Sequence, residues 1–478
     1  METIIGLVLG GAGLLYLLYH ANVVYNRTTF YCRFGLVFIP YLCKYLSNMC
    51  CCYNTTNVKV TNTSNTSMFI DMLSDMAKTD VIFVKILQSL AFNENFIDEH
   101  LHDQITQFTD NVPYDESDID YNSVIKMMTS TPFMFSNRPA TPMRSGMISL
   151  VYLLEHKNTG DKYVMKVKRK NIDKRVNESI DNMMGLLYVI SLVCKIWFSL
   201  DVIDVIMRHL DLLRSQLDYK QEQINTIDAY NDLNHIDYIR IPKVYECEKL
   251  YGNAIIMEYL PGKHMNDISE TDMKIHRDLI LKYFFASSMI HHKFHGDLHS
   301  GNILFIDNEE KTEKNTSTIV PRYQIGIIDF GIVMHFPENV PDTLFYIFEH
   351  QQDPEMTPNI SREYIENFIE PSNMLDLLPK NKVEDILTAT NRVVCELFHE
   401  GRPLDQSQFY EIFKGINDNL SRDFVTKHGV KTNDGLVKLE VAISMCMNLV
   451  SYMTDGDPNT HLKRVFDEMF HCDIMFSD

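Results

Sequence analysis

Residues 294–331 restrict the possible folds of this chain more than any other stretch. "FHGDLHSGNILF" (294–305) packs an aspartate, an asparagine, two glycines and two histidines into twelve positions before turning apolar. "NILFI" (302–306) reads as a strand. After the polar excursion "NEEKTEKNTSTIVPR", a second strand, "YQIGII" (323–328), ends in Asp329-Phe330-Gly331. If the two strands pair antiparallel, the start of the first lies beside the end of the second. Asn302 and Asp329 then reach the same end, with Asp297 five residues upstream. One aspartate to orient an attacking hydroxyl and an Asn/Asp pair to hold Mg²⁺ against phosphates is the division of labour of phosphoryl transfer. Each piece alone is weak; the spacing of all three is a strong signal.

The rival reading is a metal site built from His291, His292, His295 and His299. Gly296-Asp297 breaks a helix there, and no cysteine or carboxylate cluster supplies four ligands. His295 fits better beneath the loop, orienting it. The phosphoryl-transfer reading makes two further demands: a strand lysine for the phosphates and a helix glutamate for that lysine. "YVMKVK" (163–168) offers Lys166 inside an apolar strand, the second half of a hairpin over 147–169 with Asn158–Asp161 at its tip. "QLDYKQEQIN" (216–225) puts Asp218, Glu222 and Asn225 on one helix face, so Glu222 is the candidate partner. Two usual companions are missing. No G-x-G-x-x-G precedes Lys166, its place being taken by "TPMRSGMIS" (141–149). Gly296 stands where ordinary protein kinases carry an arginine, and no A-P-E follows Asp329.

Composition narrows the remaining classes. A net charge of −20 over 478 residues, with no basic run, argues against a nucleic-acid partner. Ten cysteines in no CxxC arrangement indicate a reducing compartment rather than a disulfide framework. "IIGLVLGGAGLLYLLY" (4–19) carries no charge over sixteen residues, close to the roughly 20 that span a bilayer. Arg27, Arg33 and Lys44 follow it, which places the body on the cytosolic side if the segment is a membrane anchor rather than a buried helix. "RFGLVFIPYLCKYL" (33–46) suits an amphipathic interfacial helix. Cys50–Cys52 read either as lipidated or as ordinary cysteines, and 54–67 as a flexible linker. Helical patterning follows to about Tyr121, and again over 176–234, where "GLLYVISLV" (185–193) is too short to span. "NAIIMEYLPG" (253–262) is a strand ending in a turn, and beyond Asp267 the pattern is mainly helical.

These residues resemble the UbiB family of atypical kinases, also called aarF-domain kinases. Its H-x-D-x-H-P-G-N, D-F-G, V-A-V-K-V, E-x-D-x-x-x-E-A-x-N and K-x-G-Q motifs correspond here to "HGDLHSGN", "IDFG", "YVMKVK", "QLDYKQEQIN" and "FVKILQSLAF". The long helical interval of 56 positions between Lys166 and Glu222 is also similar to that family, and the likeness covers roughly 30–350. It implies an α+β, bilobal protein-kinase-like fold with ATP and Mg²⁺ bound between two lobes. The corresponding domains are a membrane anchor and juxtamembrane segment over 1–53, the linker over 54–67, and a helical extension over 68–130. A small lobe follows over 131–260, with a helical insertion at about 171–214, and then a mainly helical large lobe over 261–478.

The resemblance further implies Lys166 on the phosphates, Glu222 as its partner, Asp297 as the catalytic aspartate, and Asn302 and Asp329 as metal ligands. Arg144, Ser145, Gly146 and Glu258 join Lys166 as cofactor-binding residues. Lys85, Gln88, Gln216 and Asp218 take the regulatory positions. The departures fall in the regulatory parts: Leu87 replaces the glycine of K-x-G-Q, Gln216 replaces the first glutamate of E-x-D, and Arg144–Met147 replace an alanine-rich loop. Gly146 in that loop suggests added flexibility, and Arg144 an added phosphate donor. The family also implies a membrane lipid partner, with a protein substrate undecided. Two alternatives stand beside it: a small-molecule kinase of the aminoglycoside or choline type, and a nucleotide- or lipid-binding scaffold without turnover.

Overall fold

The computed structural model describes parts of 27–47 and 68–83, then 112–193, 210–246, 252–308, 321–398 and 406–470, apart from scattered positions. The apolar segment 4–19, Cys50–Cys52, the linker 54–67, and Lys85 and Gln88 lie outside the described residues. The chain forms two compact units, one of residues 1–153 and 166–217, the other of 154–165 and 218–478.

In the first unit, helix α1 (27–41) packs one side on the helical segment 68–83. Phe30 and Phe34 stack on Phe83 at centroid distances of 6.1 and 6.2 Å, and Tyr41 donates to Asp75 (2.8 Å). Leu36 and Ile39 point outward, 76% and 58% exposed, so the amphipathic character expected of this segment is present with one face already taken by protein. Helix α2 (Tyr121–Thr129) is capped by Asp120, whose carboxylate accepts from the Ser123 amide. Strand β1 (Phe133–Phe135) joins a sheet with β3 (Ser149–His156), and β2 (Arg144–Ser145) pairs antiparallel with β3, Arg144 opposite Val151. The expected hairpin is β3 with β4 (Lys162–Lys168), and its outer residues, 154–165, belong to the second unit. Helix α3 (Ile172–Val193) leaves directly from β4. Tyr31 of α1 comes so close to α3 that a Cβ on Gly185 would lie 2.4 Å from its hydroxyl.

Arg169, just after β4, organises this unit. Only 5% exposed, it donates to the Gly146 carbonyl (3.0 Å), Asp118 (2.9 Å), the Val112 carbonyl (3.1 Å) and the Ser145 hydroxyl (2.7 Å). A buried guanidinium is tolerated only when its donors are met in this way. Burial pulls its pKa down, and Asp118 opposes that shift.

The second unit opens with helix α4 (Tyr219–Leu233). Strands β6 (Val244–Tyr245) and β7 (Ala254–Glu258) pair antiparallel, and the Tyr259 amide bonds the Lys162 carbonyl in the hairpin's outer part (3.2 Å). A second sheet runs β5 (Ile239–Arg240), β10 (Tyr323–Ile327), β9 (Ile303–Asp307), with β5–β10 parallel and β9–β10 antiparallel. Strands β8 (Lys293–His295) and β11 (Val333–His335) form a third, antiparallel pair. Their apolar faces meet helix α5 (Glu270–Phe285) and the helices of the remaining chain in one core. Phe285 sits there against Phe348, Phe466 and Phe470. Helix α6 (Asp434–Tyr452) has the length and apolarity of a membrane span, at mean hydropathy 1.2. It buries Leu436, Leu439, Ile443 and Val450 in this core, which explains its composition without a membrane.

Candidate phosphoryl-transfer site

The β9–β10 hairpin forms in the register the spacing demands: Ile303 faces Ile327, and the Ile328 amide donates to the Asn302 carbonyl (3.0 Å). Asn302, 7% exposed, also turns its Nδ2 to the Asp297 carbonyl (2.9 Å). One residue thus ties the loop that carries Asp297 to the strand end that carries Asp329. Its remaining side-chain oxygen and the Asp329 carboxylate are hard oxygen donors, the kind Mg²⁺ selects. Among the described residues no three His, Cys, Asp or Glu side chains converge as a metal cluster, so the four histidines do not assemble one.

His295 lies under the loop, 1% exposed. Its Nδ1 accepts from the Asp297 amide (3.1 Å), which leaves Nε2 to donate to the Ile328 carbonyl (3.1 Å). Burial lowers its pKa, while the Asp297 and Asp329 carboxylates pull the other way. A neutral ring satisfies both bonds. Phe330 packs against that ring at 5.1 Å. Gly296 is required sterically, since a Cβ there would sit 2.4 Å from Ile332 Cγ2, and its amide bonds the Ile332 carbonyl (2.9 Å). The missing arginine therefore has a structural reason: the loop is pressed onto the strand that follows Asp329. His299 caps the short turn Ser300–Asn302 through the Gly301 amide (3.1 Å). Asp329 itself has φ 66°, a left-handed conformation uncommon outside glycine, and such strain clusters at functional turns.

The other expected residues fall as follows. Glu222, 1% exposed, is on α4, whose N-cap is Asp218 accepting from the Gln221 amide (3.0 Å). The position expected to be regulatory thus also starts the helix. Gln216 lies in the turn before it. Lys166 is half-buried on β4 between Met165 and Val167, which face the core. The Glu258 carboxylate is committed to Arg240 (2.7 Å), and its amide donates to the Lys243 carbonyl (2.9 Å). Arg144 is exposed. The Ser145 hydroxyl is turned inward, donating to the Val112 carbonyl (2.7 Å) and accepting from Arg169. Gly146, where added flexibility was expected, is hydrogen-bonded on both sides: its amide bonds the Ser149 carbonyl (2.9 Å) and its carbonyl takes Arg169 (3.0 Å). Spacing gave no hint of Arg169, whose partner Asp118 lies 51 positions away. Asn225 stood on the right face, but nothing in the sequence named its partner.

The ABC1 atypical kinase-like domain model matches residues 107–356. Proteins named probable protein kinase UbiB are similar to this chain. That of Shewanella woodyi is 25% identical over 264 residues, covering 54% of this chain and 46% of the relative. That of Glaesserella parasuis is 25% identical over 268 residues, covering 54% and 47%. The chain thus spans about half the length of the curated relatives it matches. A Mycobacterium tuberculosis protein solved in complex with erythromycin aligns with TM-score 0.47 and 16% identity, over 80% of this chain and 90% of its own.

Proposed function

We propose, for a chain that belongs to the ABC1 atypical kinase-like family, that the loop around Asp297 is a phosphoryl-transfer site using ATP and Mg²⁺. The family carries a kinase-like fold and a kinase-type activity; the nucleotide, the metal and the residue roles are the proposal. Asp297 orients the attacking hydroxyl, of water or of an acceptor. Asn302 and Asp329 hold Mg²⁺, which when bound neutralises charge on the phosphates. Lys166 is assigned to the phosphates, Glu222 to that lysine and Arg144 to an added phosphate contact, with 131–260 and 261–478 as small and large lobes. The apolar segment 4–19 is proposed as a membrane tether. The observation that carries the reading is Asn302, whose carbonyl and Nδ2 bond the Ile328 amide and the Asp297 carbonyl. A bland polar turn has no need of an asparagine so engaged and so buried.

The test is thermal melting of the full chain with Mg-ATP, with Mg-ADP and with neither, beside Asp329→Asn. Ligand at 100 times its Kd stabilises by about 2.7 kcal/mol, a rise of several degrees. The expected result is a magnesium-dependent rise that the variant loses. A folded wild type with no rise overturns the reading in favour of a scaffold.

A further inference from the structure

The bonds that fix Asp329 come from both sides of its turn. His295 holds the carbonyl of Ile328, before it. The carbonyl after it, that of Phe330, accepts from Asn225 Nδ2 at 2.9 Å, across 105 positions of chain. Asn225 is itself oriented: Gln221, one turn earlier on α4, donates to its Oδ1 (2.9 Å), so the amide nitrogen must face Phe330. Two turns later on the same face, Asp232 takes Lys293 of β8 (2.8 Å). Lys293 stands two residues before His295 and opposite His335 of β11, the strand that leaves the Asp329 turn. Helix α4 therefore grips the turn itself through Asn225 and the strand entering the loop through Asp232. Between the two bonds lies a cleft lined by Asp228, His291, Phe330 and Val333.

We propose that Gln221, Asn225 and Asp232 are positioning residues that hold Asp329 in its left-handed, metal-ready conformation. Most kinases set this helix by modifying an activation segment; here the chain's own side chains set it. The proposal rests on the phosphoryl-transfer reading, and it makes a demand of its own. A peptide held after a strained residue matters for the carboxylate's aim, so the loss shows in magnesium dependence rather than in fold stability.

The experiment titrates Mg²⁺ at saturating ATP and follows the rise in melting temperature of the full chain, in wild type, Asn225→Asp, Asn225→Ala and Gln221→Ala. Asn225→Asp keeps the shape but turns an acceptor toward the Phe330 carbonyl. It is expected to raise the Mg²⁺ half-point most, by roughly five- to tenfold, the value of one hydrogen bond. Asn225→Ala follows, then Gln221→Ala, while the melting temperature without Mg²⁺ moves little. A role through packing alone predicts the reverse order, with the isosteric aspartate mildest, and that order or an unchanged half-point overturns the proposal. Should Asn225→Asp not fold, Asp232→Lys and the swap Asp232→Lys with Lys293→Asp serve instead. The single change is expected to raise the half-point and the swap to restore it; equal values overturn the proposal. A wild type with no magnesium response at all overturns the phosphoryl-transfer reading itself, and is told apart by that.

Discussion

Two turns, one in each unit, solve the same problem by opposite means. The turn at 144–149 is held by a buried charge: Arg169 reaches the Gly146 carbonyl, the Ser145 hydroxyl and Asp118 at once. The turn at 295–302 is held by a buried neutral ring: His295 accepts from one backbone amide and donates to one backbone carbonyl. A buried charge binds strongly and fails badly, since removing one partner strands the other. A buried imidazole binds less strongly but places no fixed charge beside the carboxylates of Asp297 and Asp329. That suits the role proposed for this loop, whose electrostatics would be left to substrate and metal.

The largest effect should come from the charged turn. Arg169→Met removes four hydrogen bonds and leaves the Asp118 carboxylate with the half-exposed Arg175 (2.9 Å) and the Asp115 amide (3.4 Å). The expected cost is about 3–5 kcal/mol, read as a lower urea midpoint. A loss under about 1 kcal/mol would show that the guanidinium is dispensable and would dissolve the contrast.

Next is the neutral turn's steric lock. Gly296→Ala puts a methyl into Ile332, and overpacking of this kind costs about 1–3 kcal/mol. Since the strand after Asp329 must give way, magnesium-dependent nucleotide binding should weaken as well. Crystal or spectroscopic evidence that alanine is accommodated, with binding intact, would show that the loop needs no such press.

The contrast also marks what a sequence can disclose. Asp297, Asn302 and Asp329 were legible because a hairpin fixes their relation locally: five residues, two strands and a known pairing rule bring them to one end. His295 was legible as the loop's support once a metal site built from the four histidines had been set aside. Glu222 and Asn225 were legible as a face, because helical periodicity needs no partner to be seen. Ser145 and Glu258 were visible as residues but not as hydrogen-bonding states: each is occupied by a partner, Arg169 and Arg240, that no local pattern marks. The apolar helix 434–452 shows the same limit, because span-like composition and core-like composition coincide until the packing is known.

The smallest effect is the proton cost of the neutral turn. Burial holds the His295 pKa below the ordinary histidine value of 6.5, so the folded chain resists a proton that the unfolded chain accepts. Stability from this group is full above about pH 6.5 and declines as pH falls below it, because there the unfolded state binds more protons. His276 and His291 are shifted in the same direction by burial and add to the slope. The share of His295 is isolated by difference: urea midpoints at pH 7.5 and 5.5 for the wild type and for His295→Gln, which keeps a donor and an acceptor without a titrating ring. The variant should be less stable at pH 7.5 and should lose less on acidification. Parallel losses in both would mean that His295 takes up protons as readily folded as unfolded, and that the neutrality distinguishing this turn from the one around Arg169 is not what the fold selects.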